Sequence, residues 1–218
     1  MDTGTEREKE LAARAAAALI EDGMTVGLGT GSTVAHFVSA LAARDLELRC
    51  VATSPATETV ARDLGLRLEP FGAYSKLARL DIAVDGADQV ARGGWVVKGG
   101  GGAHTREKIV AAAAKRFVVI VSSDKLVDEI APPIPLELLA FGVVTTVDRL
   151  GSTQLRDAQT TPDGGVLADW IGSVENPAEL AALLAATPGV VEHGLFPPDL
   201  VSEVLVGRGG EVERIEPS

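Results

Sequence analysis

Short apolar runs that alternate with stretches of helical spacing constrain the fold of this chain more than any other feature. Met24–Leu28, Leu46–Ala52, Leu80–Val84, Trp95–Val97 and Phe117–Ser122 read as strands, with a shorter one at Leu66–Leu68. Between them, Glu6–Ile20, Thr33–Ala43, Ala56–Leu64 and Thr105–Lys115 read as helices. The first carries Leu11, Ala15, Ala18 and Leu19 on one side and its charges on the other. Strands this apolar suit a parallel sheet buried on both faces. The βαβα rhythm with short links predicts an α/β chain with a mostly parallel, doubly wound sheet.

The texture changes after Asp128. Pro132, Pro133 and Pro135 mark a crossing into a second unit. It contains an extended or helical stretch at Phe141–Leu150, a turn at Thr161–Gly165 and a strand at Val166–Trp170. Asn176-Pro177-Ala178-Glu179 opens a helix to about Ala186, with Asn as cap, Pro in the first turn and Glu at N3. Val190–Phe196 and Val201–Val206 read as closing strands. The expected division is 1–128 for the main domain and 129–206 for a smaller one, with 207–218 returning to the first.

Formal net charge is −11, which excludes nucleic acid or an anionic membrane held by the overall field. A phosphate ligand would have to be attracted by local lysines and backbone N–H groups. Cys50 is the one cysteine, so no intramolecular disulfide is possible and a reducing, cytoplasmic setting is expected. The polar start MDTGTEREKE lacks an apolar signal core, and no run reaches membrane-spanning length. His36, His104 and His193 are far apart in sequence and accompany no cysteine cluster, so no metal is expected.

Ligand-type residues recur at strand ends, where α/β sheets bind ligands. GLGTGST at Gly27–Thr33 joins a strand to a helix, and the helix N-terminus with Ser32 and Thr33 offers donors to an oxyanion. A nucleotide P-loop needs a lysine before Ser32, which is missing. A dinucleotide fold needs an acidic residue at the second strand's end, where this chain has Thr53-Ser54-Pro55. A plain turn with capping hydroxyls is the alternative to phosphate binding. Asp85 and Asp88 flank Gly86 after the next strand, but Asp-Gly is also an ordinary turn signature, so the pair decides nothing alone. Lys98 precedes Gly99–Gly102, and each such glycine costs roughly 1 kcal/mol relative to Ala in regular structure. Backbone of that kind can wrap a ligand closely. Glu107 falls in the first turn of the following helix, where the dipole favours acids whatever the chemistry. Lys125 again follows a strand.

Together these motifs resemble the ribose-5-phosphate isomerase A family. The resemblance runs over nearly the whole chain: GLGTGST, VDGAD, KGGGGAHTREK, the lysine after the next strand, PLEL, and PGVVEHGLF at Pro188–Phe196. It implies a Rossmann-like domain with a smaller α/β, ferredoxin-like domain, assembled as homodimers or homotetramers. It implies interconversion of ribose 5-phosphate and ribulose 5-phosphate, a sugar-phosphate substrate, and no cofactor. Carried over, Glu107 becomes the proton-transferring base, with Asp85, Asp88 and Lys98 around the reactive end of the sugar. Thr30, Gly31, Ser32 and Thr33 become substrate contacts, as do Gly86, Ala87, Gly99, Gly100 and Gly101. Ser32, Thr33 and Lys125 fall nearest the phosphate, and Lys9 matches a further phosphate-contacting lysine. This chain departs from the family pattern with Gln89 in place of Glu, Asp124 before Lys125, and Gly164-Gly165 in place of Gly-Asn. A sugar-phosphate sensor of related fold is the rival from another class. Such a regulator needs a DNA-binding helix-turn-helix, and here a single helix precedes the first strand.

Overall fold

The computed structural model describes residues 3–217. In chain order it begins with α1 (Thr3–Ala17), β1 (Thr25–Leu28), α2 (Ser32–Ala42), β2 (Arg49–Ala52), α3 (Pro55–Asp63) and β3 (Leu80–Asp85). There follow β4 (Gln89–Ala91), β5 (Val96–Val97), α4 (His104–Ala113), β6 (Ala114–Ser122) and β7 (Leu126–Val127). The middle forms β8 (Ile134–Leu138), α5 (Val143–Leu150), β9 (Thr153–Leu155), β10 (Val166–Trp170) and α6 (Pro177–Ala186). The last elements are β11 (Val190–His193), β12 (Leu195–Phe196), β13 (Glu203–Arg208) and β14 (Glu211–Ile215).

The large sheet has six strands in the order β14-β13-β6-β3-β1-β2. All neighbours run parallel except the β13–β14 edge pair. Alternate residues of β6 serve opposite faces, as the strand period requires. Val118 and Ile120 join a core with Ala12, Ala16, Phe37 and Leu41 of α1 and α2. Phe117, Val119 and Val121 join a second core with Val110 and Ala111 of α4. From β1 the chain crosses to β2 on one side and then returns to β3 on the other, so order reverses between β1 and β3. That reversal opens a crevice at the carboxyl ends of the strands.

A second sheet, β11-β8-β10-β9, is wholly antiparallel and takes its elements in the order βαββαβ, the split-βαβ, ferredoxin-like arrangement. Leu180 and Leu184 of α6 bury against Ile134, Leu136 and Leu138 of β8. Asn176 caps α6 as expected, accepting from the N–H groups of Ala178 and Glu179. The third sheet, β12-β5-β4-β7, draws strands from both sides of the second sheet in sequence and carries Lys98 at the end of β5.

Several local expectations change. Val190–Phe196 is not one strand: β11 and β12 belong to different sheets and break at Gly194. There the chain passes so close that a Cβ would sit 2.2 Å from the Lys98 carbonyl oxygen. Val201–Val206, read among the small unit's closing strands, belongs to β13 of the large sheet, so the chain is back there from Glu203, ahead of 207. Its buried residues pair with β6, a partner no local pattern names. Leu66–Leu68 makes only an isolated bridge, Leu68 with Cys50. The proline-rich crossing contains β8, buried throughout and paired on both sides.

Candidate active site

The crevice forms where three strand ends meet. After β1, the chain passes Asp85 at Gly29 so closely that a Cβ there would lie 2.0 Å from the Asp85 Cγ. Only glycine lets the Thr30 N–H reach Asp85 Oδ1 at 3.0 Å, and the Gly86 N–H meets the same oxygen at 2.7 Å. The other Asp85 oxygen lies 3.0 Å from Lys98 Nζ, which donates to the Gly86 carbonyl at 2.6 Å. Glu107, one turn into α4, places Oε2 3.2 Å from the same ammonium. Lys98, Asp85 and Glu107 are 3 %, 2 % and 5 % exposed, so solvent screens none of these charges appreciably.

One ammonium cannot neutralise two ionised carboxylates in so dry a place. Burial, and then the Asp85 charge, push Glu107 up to about 8 against the pull of Lys98. Burial raises Asp85 as well, opposed by Lys98 and the two N–H groups. Burial works against the Lys98 charge, but Asp85 and Glu107 outweigh it, and its pKa is raised. Asp85 has the donors that stabilise an anion, whereas Glu107 Oε2 makes no well-directed hydrogen bond. Glu107 is therefore the carboxyl that burial and charge favour in its protonated form, beside the Asp85–Lys98 ion pair.

A cavity of about 270 Å³ opens above this cluster. Lys98 and Glu107 form one end, and Asp88 stands exposed at the side, accepting the Gly100 N–H at 2.8 Å. The other end is the start of α2, where no side chain caps Gly31 and where Ser32, Thr33, Lys125 and Lys9 line the wall. Every site residue named from the sequence lines this cavity except Asp85, which lies beneath Lys98. Lys125 lies 3.2 Å from Asp124, which also accepts from the Ser122 hydroxyl. Lys9 is paired with Glu6 at 2.7 Å. Gln89 points elsewhere: its amide takes both the N–H and the carbonyl of Ala131, at 2.9 and 2.7 Å, a pairing that a carboxylate could not complete. Among the described residues no group of three or more His, Cys, Asp or Glu is gathered as a metal site.

Two supporting residues escaped the sequence reading. Thr53 shares a hydrogen bond of 2.8 Å with the Thr30 hydroxyl, and Thr57 donates to the Gly29 carbonyl at 2.8 Å. Thr53-Ser54-Pro55, which in sequence only argued against a dinucleotide site, is thus the brace of the first glycine turn. The close spacing of Gly27, Gly29 and Gly31 was the available signal that something packs tightly there.

A parallel sheet with a lysine between two buried carboxyls at its switch point, facing a hydroxyl- and lysine-lined end, defines a Rossmann-like α/β enzyme suited to proton transfer on a small anion. Comparison with known proteins narrows this class. The family model for ribose 5-phosphate isomerase A (phosphoriboisomerase A) matches residues 49–211. A ribose-5-phosphate isomerase A of Caulobacter vibrioides (strain NA1000 / CB15N) is 43% identical over 226 residues, spanning 96% of this chain and 98% of its own. The ribose 5-phosphate isomerase A structure from Neisseria gonorrhoeae superposes with a TM-score of 0.91 at 28% identity, covering 99% of each chain. A D-ribose-5-phosphate isomerase structure in complex with phospho-erythronic acid gives 0.89 at 30% identity, covering 97% of this chain and 99% of that one. The chain belongs to the ribose 5-phosphate isomerase A family.

Proposed function

We propose that this chain interconverts D-ribose 5-phosphate and D-ribulose 5-phosphate, an aldose–ketose isomerisation of the non-oxidative pentose phosphate pathway. The observation that carries this reading is the Glu107–Lys98 pair, 3.2 Å apart in a cleft that Ser32, Thr33, Lys125 and Lys9 also line. A solved relative with phospho-erythronic acid bound, a phosphorylated sugar acid, supports the same class of ligand.

In this mechanism Ser32, Thr33 and Lys125 hold the phosphate and so fix the carbon skeleton against Glu107. Ring opening moves the proton of the anomeric hydroxyl to the ring oxygen as the bond between that oxygen and C1 breaks. Asp88, which faces the cavity, is placed to relay that proton. Asp85 contributes by anchoring Lys98 rather than by touching the sugar. Ionised Glu107 then takes the proton from C2, leaving an enediolate whose charge the Lys98 ammonium and glycine-loop N–H groups oppose. The O2 hydroxyl proton passes to O1 as the carbon-derived proton returns from Glu107 to C1, which gives the ketose and restores the ionised carboxylate. A carboxyl with a pKa near 8 suits this double role, because it both accepts and releases a proton near neutrality.

The decisive assay couples ribulose 5-phosphate formation from ribose 5-phosphate to a chromogenic step, with a chelator present. Turnover is the expected result. Binding of ribose 5-phosphate without turnover would point to a sensor instead and overturn the reading. A homodimer or homotetramer is part of the proposal, supported by Phe141 and Val144, which leave apolar surface open beside α5. A cytoplasmic location is supported by the single cysteine, Cys50, buried and pushed up to about 12 by that burial.

A further inference from the structure

The glycine run that walls the cavity is gripped from behind by the small unit. Arg156 follows β9, and its N–H continues the ladder to the Leu167 carbonyl of β10 at 3.0 Å, so the root of its side chain is fixed. Its Nε and Nη2 donate to the two carboxylate oxygens of Asp169 on β10, at 2.8 and 2.6 Å. That bidentate pair leaves Nη1 aimed at the loop, where it donates to the carbonyls of Gly99 at 3.0 Å and Gly100 at 3.1 Å. Leu167 packs on the same run: a Cβ at Gly102 would lie 2.5 Å from its Cδ1.

The consequence follows from the planar trans peptide, in which a carbonyl and the next N–H point in opposite directions. With the Gly99 carbonyl on Arg156, the Gly100 N–H faces the other way and meets Asp88 at 2.8 Å. With the Gly100 carbonyl also on Arg156, the Gly101 N–H turns away from the guanidinium, and Gly100 and Gly101 both line the cavity. The Gly99 carbonyl also accepts the Gly102 N–H at 3.0 Å, but the central glycines of that turn sample both signs of φ freely, so the turn alone leaves the Gly100–Gly101 peptide free to flip. We infer that Arg156, oriented by Asp169, is a positioning residue that sets the Gly101 N–H toward the oxyanion formed on the sugar, while the Gly100 N–H is committed to Asp88. This rests on the isomerase reading above, and it assigns the small unit a part in catalysis across the crevice.

The test uses Arg156→Ala, Arg156→Lys and Asp169→Asn in the full chain, with the wild type assayed alongside. In Arg156→Ala, kcat for ribose 5-phosphate falls roughly 10- to 100-fold, short of the loss on deleting an oxyanion donor outright. Affinity for phospho-erythronic acid falls with it, while inhibition by inorganic phosphate stays at the wild-type level because Lys125 and Ser32 lie at the other end. Arg156→Lys and Asp169→Asn lose less, in the same pattern. Wild-type kcat in Arg156→Ala overturns the inference, and so does a parallel loss of phosphate inhibition, which marks general damage. If Arg156→Ala does not fold, full kcat and sugar-acid affinity in Asp169→Asn and Arg156→Lys overturn it equally. A wild type without turnover is a different failure, that of the isomerase reading.

Discussion

Replacing Glu107 by Gln separates what this carboxyl does for chemistry from what it costs the fold. Its pKa is about 8 in the folded chain against 4.5 for an ordinary glutamate. Between those values the folded chain holds a proton at this site that the unfolded chain has released, so stability falls as pH rises. The favourable contribution is complete below the unfolded value and is lost as pH climbs through the folded one. Each pH unit in that window is worth about 1.4 kcal/mol, which gives a penalty of about 3 kcal/mol at pH 7 and about 5 kcal/mol above pH 8. These are upper bounds, because Lys98 and Asp85 readjust as the charge appears. Glutamine keeps the shape and cannot ionise, so its own burial cost is the same at every pH. Urea unfolding midpoints of the two proteins, followed from about pH 5 to about pH 9, therefore cross or converge in favour of Glu107→Gln as pH rises. The same variant loses roughly 10²- to 10⁴-fold in kcat, the usual contribution of a general base. In the wild type, kcat/KM climbs with pH toward an apparent pKa near 8, a macroscopic value shared with Asp85 and Lys98. A stability difference that does not vary with pH would refute the protonated resting state. Near-normal turnover in the variant would refute the base assignment.

Three further substitutions probe the scaffold. Gly29→Ala sets a Cβ 2.0 Å from the Asp85 Cγ, so it should cost about 1–3 kcal/mol in thermal or urea unfolding and at least about tenfold in kcat; an unchanged Tm with full activity would show that Asp85 has room to move. Lys125→Ala should raise KM for ribose 5-phosphate and weaken inhibition by inorganic phosphate about tenfold, the loss of one charged hydrogen bond, with a smaller effect on kcat; a fall in kcat alone would remove Lys125 from the phosphate end. Asn176→Ala deletes the α6 cap and should cost about 1 kcal/mol by urea unfolding while leaving kcat untouched, since no α6 residue lines the crevice; a larger cost would mean the cap also fixes β11.

The strands and helices of the first unit were legible because apolar runs and helical spacing are local. Val166–Trp170 and the Asn176 cap of α6 are legible in the sequence for the same reason. Local sequence is silent where a partner far along the chain decides. β8 hides behind prolines because its burial comes from β10 and β11, and β13 looks like part of the small unit until it pairs with β6. Gln89 looked like a departure at the site and is instead a tie to the Ala131 backbone.

The motifs themselves determined where the chemistry lies, because ligand-type residues and glycines at strand ends are local signs of a crevice in a parallel sheet. They did not determine which carboxyl does what. Asp85 and Glu107 are both acids near glycines in sequence. Tertiary packing puts three donors on Asp85, leaves Glu107 dry, and holds one ammonium between them. The same holds for the glycine run: its composition announces freedom, and contacts with Asp88, Leu167 and Arg156 in the folded chain set its direction. Burial and charge pairing act through space, so protonation states and orientations belong to the folded chain.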